Sequence, residues 1–232
     1  MSMFSTRNLR CATNSEQEYY NSCLYPLQDR VCQLVGFGGL YLSSGTALSR
    51  IYFNHRYSDD LDFFYNGHLN PKENFAVEVR ESIERLASLY QVEIILNSDY
   101  FKRIMVTAQE TILKVEYIYE PYTHFGDLVE WSGCFVDSLE NIGVNKITAA
   151  QDRKTAKDFV DLYFLLQKLD LERLIQGAKE KIVPLDYEST VLAFSDRILE
   201  GTVVMKQTLE LEEMNRFGSD LIRKLINHAR TV

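Results

Sequence analysis

Apolar and polar positions follow two different periods along the chain, and the change from one to the other divides it. From about Glu16 to Val35 the spacing is helical. Phe37–Ser43 (FGGLYLS) then reads as a short strand ending in Ser44-Gly45-Thr46, where a turn at Gly45 starts a helix, ALSRIYF. Alternation returns in SDDLDFFYN: Asp60, Asp62 and Phe64 point one way and Leu61 and Phe63 the other, as in a strand with acids on one face. Between Lys72 and Tyr90, the residues Phe75, Val79, Ile83, Leu86 and Tyr90 share a helical face, leaving Glu78, Arg80, Glu81 and Arg85 for water.

The stretches QVEIILN, FKRIMVTAQ, TILKVEYIYE and WSGCFVDSL are strand-like, with turn formers between them, and together predict a mixed sheet. Within ILKVEYIY, Ile112, Lys114, Glu116 and Ile118 share one face, and Leu113, Val115, Tyr117 and Tyr119 the other. After about Leu139 the period lengthens again. NIGVNKITAAQDRKTAKDFVDLYFLLQKL reads as helix, short break and helix, and the rest of the chain reads as helical up to His228. The expected fold is α/β (α+β), a mixed sheet with flanking helices over residues 1–138 followed by a helical domain over 139–232.

Composition narrows the class. The 232 residues can bury a substantial core, and 46% hydrophobic residues with only 4 prolines exclude extended disorder. The net charge of −8 argues against broad non-specific nucleic-acid binding, which depends on Lys and Arg neutralising phosphates, but permits a local basic patch. Cys11, Cys23, Cys32 and Cys134 form no CxxC pair and read as reduced thiols in a cytoplasmic protein. The start lacks a secretory apolar segment, and no run approaches the roughly 18 apolar residues that span a bilayer, so no membrane partner is expected.

Two features carry chemistry. Carboxylates at i and i+2 on a strand can share a cation, and without one Asp60 and Asp62 repel by a few kcal/mol, on the order expected at intermediate dielectric. Oxygen ligands favour magnesium or manganese, and Glu116 completes a three-carboxylate site if its strand lies beside theirs. The plainer readings are an edge strand that uses charge against aggregation, and a solvated Glu. Ser44-Gly45-Thr46 lies where backbone N–H groups can approach a phosphate; it can equally be a helix cap and a turn. GFGG, residues 36–39, lacks the βαβ context of a dinucleotide fingerprint.

The run YLSSGTALSRIYFNHRYSDDLDFF resembles the AbiEii/AbiGii toxin family of the DNA polymerase β-like nucleotidyltransferase superfamily. Its parts are the turn Ser44-Gly45-Thr46, the pair Asp60-Leu61-Asp62 and, later, Val115-Glu116-Tyr117. Ser44 stands where the family usually has Gly. The resemblance implies a nucleotidyltransferase-type sheet and a divalent ion, magnesium or manganese, held by Asp60, Asp62 and Glu116. It also implies an NTP co-substrate cradled by Ser44, Gly45 and Thr46. His55-Arg56-Tyr57-Ser58 resembles the family's HRxS segment, with Arg56 either on phosphate or bracing Asp59.

In the helical half, VNKITAAQDR puts Lys146 and Arg153 two turns apart on one face, with Ala149 and Ala150 between them, as cations for the triphosphate or an acceptor phosphate. The next helix carries Lys157, Asp158 and Asp161 beside the stripe Phe159, Leu162, Tyr163 and Leu166. Lys154–Asp158 and Lys157–Asp161 can be read as surface i, i+4 pairs, although Lys N-terminal to its acid is the weaker order. KITAAQDRKTAKDFVDLYFLL also resembles the family's second region, a Lys helix followed by an (Arg/Lys)-Asp-x-x-Asp helix. By that resemblance Lys146 binds phosphate, Asp158 orients the base, the acceptor or Lys146, and Asp161 belongs to the nucleotide-binding set. Lys157 replaces the usual Arg and loses its bidentate fork.

The implied function is transfer of a nucleoside monophosphate to an acceptor, RNA or tRNA, as the toxin of a bacterial toxin–antitoxin or phage-defence pair with a cognate antitoxin. An antibiotic-type enzyme acting on a small hydroxylated molecule shares the turn and acids. A catalytically silent NTP-binding module would keep the fold, and retention of all three acids argues against it.

Overall fold

The alternating segments become strands in a computed structural model, which describes residues 4–5, 7–150, 153, 155–181, 186–195 and 199–230. In chain order the elements begin with β1 (Leu9–Cys11), α1 (Asn14–Tyr19), α2 (Tyr25–Val35), β2 (Leu40–Ser43) and α3 (Ser44–Ala47). They continue with β3 (Leu61–Asn66), α4 (Phe75–Ala87), β4 (Gln91–Asn97), β5 (Phe101–Ala108), β6 (Thr111–Glu120), β7 (Val129–Trp131) and β8 (Cys134–Val136). Then come α5 (Leu139–Ala149), α6 (Ala156–Leu165), α7 (Leu171–Glu180), α8 (Tyr187–Ser195), β9 (Val203–Met205) and α9 (Leu211–Ala229).

These elements fall into two units, an α/β unit of Thr13–Tyr52 and Ser58–Ser138 and a helical unit of Met1–Ala12, Phe53–Tyr57 and Leu139–Val232. The long segment of the helical unit thus starts at residue 139, and two earlier pieces of chain belong with it.

In the α/β unit, seven strands among the described residues pair in the order β4-β5-β6-β3-β2-β8-β7. β3 runs parallel to β6 and antiparallel to β2, and β2 runs parallel to β8, so the sheet is mixed. Leu61, Phe63 and Tyr65 of β3 and Leu113, Val115 and Tyr117 of β6 are fully buried on one face. Each such side chain contributes roughly 1.5–3 kcal/mol of apolar burial. The Ser82 and Tyr117 hydroxyls, 2.8 Å apart, tie α4 to that face.

Glu78 of α4 is not left to water: its Oε2 accepts the Gly39 backbone N–H at 2.7 Å. A Cβ on Gly39 would lie 2.4 Å from the Tyr65 ring, so only glycine lets the chain pass there, and β2 starts at Leu40, later than its apolar pattern predicts. The helix expected after Gly45 is one α-turn, Ser44–Ala47, that widens into a π-type turn over Leu48–Tyr52.

In the helical unit, Phe4, Phe159 and Phe217 stack edge to face at 5.4 and 5.6 Å. α7 buries Leu174, Ile175 and Ala178. The back half is not wholly helical, because β9 pairs parallel with β1 in the register Leu9↔Val203 to Cys11↔Met205. Helical periodicity misses a strand of three residues whose partner lies near the other end of the chain. No helix of the described residues is long and apolar enough to cross a membrane.

Candidate active site

Parallel pairing of β3 with β6 places Asp62 opposite Glu116, and antiparallel pairing with β2 places Ser43 on its other side. Asp60 precedes β3. The Thr46 hydroxyl donates to the Asp60 carbonyl at 2.5 Å and lies 2.8 Å from the Ser58 hydroxyl, so this buried side chain braces the turn against the acid strand. Gly45 is buried beside it. The turn stands at the N-terminus of α3, which continues into the π-type turn Leu48–Tyr52, so its backbone N–H groups are of the kind that can face an anion.

Ser44 itself has φ +61°, in the left-handed region. That conformation costs a non-glycine residue about 1–2 kcal/mol. Ser44 lies near enough to the Asp62 carboxylate to favour its ionised form slightly, so the residue that replaces glycine here bears on the acid. Ser44→Gly should raise stability by no more than about 1 kcal/mol, since relief of the backbone is offset by a freer unfolded chain. A β-branched Ser44→Val should instead destabilise by about 2 kcal/mol. Urea unfolding of the two variants checks this; a valine variant as stable as the native chain would contradict the strained turn.

Two cations sit among the acids. Lys114 Nζ lies 2.9 Å from Asp60 Oδ2 and 3.2 Å from Glu116 Oε1. Arg103 Nε, on β5 in register with Glu116, donates to the same Glu116 Oε1 at 2.7 Å. Asp62 Oδ1, though its residue keeps some accessible surface, is closed off from solvent and has no hydrogen-bond partner. Burial, followed by the charges of Asp60 and Glu116, pushes the Asp62 carboxyl up to about 7, against the weaker pull of Lys114 and Ser44. Burial works against the Lys114 ammonium, but Asp60, Glu116 and Asp62 outweigh it and raise its pKa.

Among the described residues no three acidic, histidine or cysteine side chains converge as a metal cage. The donor set nevertheless suits a hard divalent ion: it is all oxygen, an ammonium bridges two of its carboxylates, and the third has an unpartnered buried oxygen. The shared face of Lys114 and Glu116 was readable from alternation. Arg103 was not, because only the β5–β6 register brings it to Glu116.

The helical unit gathers the remaining candidates. Lys146 Nζ lies 2.6 Å from Asp158 Oδ1 and 2.8 Å from Asp161 Oδ2. Arg56 holds Asp161 through both Nε at 2.7 Å and Nη2 at 2.9 Å, and His55 Nε2 sits 2.9 Å from Asp161 Oδ1. Within the helical unit the carboxylate that holds Arg56 is therefore Asp161, a partner its motif did not name; in the α/β unit Asp59 accepts the Tyr20 hydroxyl. Thr155, the N-cap of α6, accepts the Asp158 N–H and donates to Asp158 Oδ2. Asp158 and Asp161 are buried, which overturns the reading of Lys157–Asp161 as a surface pair; Lys157 is exposed, and Lys154 lies outside the described residues.

Arg153 also departs from expectation. α5 ends at Ala149, so Arg153 is not on one helical face with Lys146, and its side chain is exposed. α6 is a separate helix, capped by Thr155 and beginning at Ala156. Burial opposes ionisation of Asp161, but Arg56 and Lys146 overcome it and hold the carboxyl well below its usual range. Burial, only partly offset by Asp161, lowers the His55 pKa, so its imidazole is neutral.

A family model described as nucleotidyl transferase AbiEii toxin, type IV toxin–antitoxin system, matches residues 39–227. An uncharacterized protein of Aquifex aeolicus (strain VF5) is 29% identical over 167 residues, 70% of this chain and 76% of that protein. The solved structure of JHP933 from Helicobacter pylori is similar at TM-score 0.59 and 20% identity, over 96% of this chain and 97% of that one. MenT4, a nucleotidyltransferase toxin from Mycobacterium tuberculosis H37Rv, is similar at TM-score 0.62 and 17% identity, over 90% of this chain and 85% of that one. At these identities the two structures share the fold with this chain.

Proposed function

This chain belongs to the AbiEii nucleotidyltransferase toxin family of type IV toxin–antitoxin systems, and on that footing we propose that Asp60, Asp62 and Glu116 hold magnesium or manganese for transfer of a nucleoside monophosphate from an NTP to RNA, tRNA included. The observation that carries the metal reading is the Asp62–Glu116 pairing on adjacent parallel strands, with Asp62 Oδ1 buried and unpartnered. When bound, a divalent ion supplies charge neutralisation for the triphosphate and acidifies the attacking hydroxyl. In the transfer, the acceptor hydroxyl oxygen bonds to the α-phosphorus, the bond from that phosphorus to the leaving phosphate oxygen breaks, and pyrophosphate departs. The hydroxyl proton is released to water.

The chain's own groups orient that exchange. Ser44 and Gly45 present the turn to the phosphates, and Thr46 fixes the turn to the acid strand through the Asp60 carbonyl. Within the helical unit, Asp158 and Asp161 hold Lys146 and Arg56 sets Asp161; by the family resemblance Lys146 and the exposed Arg153 are read as phosphate-binding cations. Support for RNA as acceptor is the family's toxin role. A cognate antitoxin is the expected partner.

The test is incubation of the purified chain with each α-labelled NTP, Mg²⁺ and total RNA, beside an Asp60→Ala variant. Label should enter RNA with the native chain only. Label on a small hydroxylated molecule in place of RNA would favour the antibiotic-type reading, and absence of pyrophosphate with every acceptor would leave a binding module.

A further inference from the structure

We propose that Lys114 is the resident counter-cation of the acidic cluster: its ammonium keeps the place of the divalent ion in the nucleotide-free protein and passes to the phosphates when metal and NTP bind together. The inference rests on the reading of Asp60, Asp62 and Glu116 as metal ligands.

Its basis is geometric. One ammonium bridges carboxylates contributed by two segments of chain, Asp60 ahead of β3 and Glu116 on β6, at 2.9 and 3.2 Å. Those carboxylates are mostly shielded, with side-chain exposures of 21% and 13%, so the pair is not an ordinary solvated surface contact. Asp62, opposite Glu116 in the register, keeps an oxygen without a partner. The cluster is thus partly neutralised but not filled.

The two cations are not equivalent. Arg103 is a planar fork engaged with Glu116 Oε1. Lys114 ends in a compact charge on a flexible stem, and its side chain is 35% exposed on the open face of β6, so its head can leave without breaking a strand. Two positive charges, an ammonium and a divalent ion, compete for the same oxygens of Asp60 and Glu116. The displaced ammonium becomes available to an anion at that face, and a triphosphate is the anion the reaction brings. Metal and nucleotide should therefore bind with positive, reciprocal coupling, and Lys114 should carry a measurable share of it.

Manganese binding, followed by calorimetry and by the electron paramagnetic resonance of free Mn²⁺, tests this on the full chain with and without each of the four non-hydrolysable NTP analogues. The native chain should bind Mn²⁺ weakly alone and about tenfold or more tightly with the accepted nucleotide. Lys114→Met, which keeps the stem and removes the charge, should bind Mn²⁺ alone about tenfold more tightly than native and gain less than about threefold from nucleotide. Lys114→Arg should stay close to native. In EDTA the methionine variant should melt lower than native, and Mn²⁺ should raise its Tm more than it raises the native one; should it unfold in EDTA, its affinity is read by chelator competition from the Mn²⁺-loaded protein.

Native-like affinity and coupling in Lys114→Met, with binding lost in Asp62→Asn, would overturn the role of Lys114 and leave the metal reading standing. Equal Mn²⁺ binding by native and Asp62→Asn, or none by native and Lys114→Met alike, would remove the metal reading and this inference with it.

Discussion

Asp62→Asn should reduce nucleotidyl transfer by about 10³-fold or more and, at the same time, make the metal-free protein more stable above pH 7. On the proposed metal reading, the first effect comes from losing a carboxylate that would hold the ion, whose charge is worth several kcal/mol in the transition state, at about 1.4 kcal/mol for each factor of ten. The second comes from its surroundings. Asp62 has a buried oxygen without a partner and two acidic neighbours, so its ionised form is disfavoured in the folded state.

The sign is fixed by the direction of that shift. A carboxyl raised from 3.8 to about 7 leaves the folded protein holding a proton that the unfolded chain has released. Stability through this group therefore falls as pH rises from about 4 to about 7, and the loss is complete above that. An amide at position 62 carries no such charge. Melting curves in EDTA between pH 5 and 8 should separate native and Asp62→Asn increasingly with pH, by a few degrees or about 1–2 kcal/mol at the upper end. His55, whose pKa is lowered, pulls the other way below its ordinary 6.5 in both proteins and cancels in the difference. Parallel curves, with activity within tenfold of native, would take Asp62 out of the site.

The largest loss of stability should come from Asp161→Ala, about 3–5 kcal/mol in urea unfolding. Asp161 is fully buried and accepts from His55, Arg56 and Lys146. Its removal takes from the buried Arg56 guanidinium its bidentate carboxylate and leaves Lys146 with the Asp158 carboxylate. Lys146→Met in the Asp161→Ala background should cost less than it does in the native chain, because the charge it removes is then only half compensated. The native network is secure above about pH 4 and weakens as pH falls through the depressed folded-state value of Asp161, which adds to acid denaturation. A change below about 1 kcal/mol for Asp161→Ala would mean the network contributes little beyond what water supplies.

Much of the site was legible because strand alternation is a local rule. Leu61 and Phe63 went inward and Asp62 outward, and Lys114 shared a face with Glu116, as a two-residue period requires. Helix ends were less legible. The short break between two helices was expected, but α5 ends at Ala149, ahead of Arg153, and α6 begins only after the Thr155 cap, so Arg153 does not share a helix with Lys146. The pairing of β1 with β9 was invisible, since three apolar residues near each end of the chain carry no mark of one another.

By itself, then, the sequence determined the element types, the faces on which the acids lie and the family to which the chain belongs, because each depends on periodicity or on a contiguous motif. Register and burial were decided only in three dimensions. Asp62 opposite Glu116, Arg103 drawn to that same Glu116, and Lys114 lodged between Asp60 and Glu116 all depend on which strands neighbour one another. So does the place of Asp161, assigned from the motif to the nucleotide-binding set and with a surface ion pair as its plainer reading, which is buried between Arg56 and Lys146. A carboxylate's chemistry is set by its distance to other charges and to water, and neither distance is written along the chain.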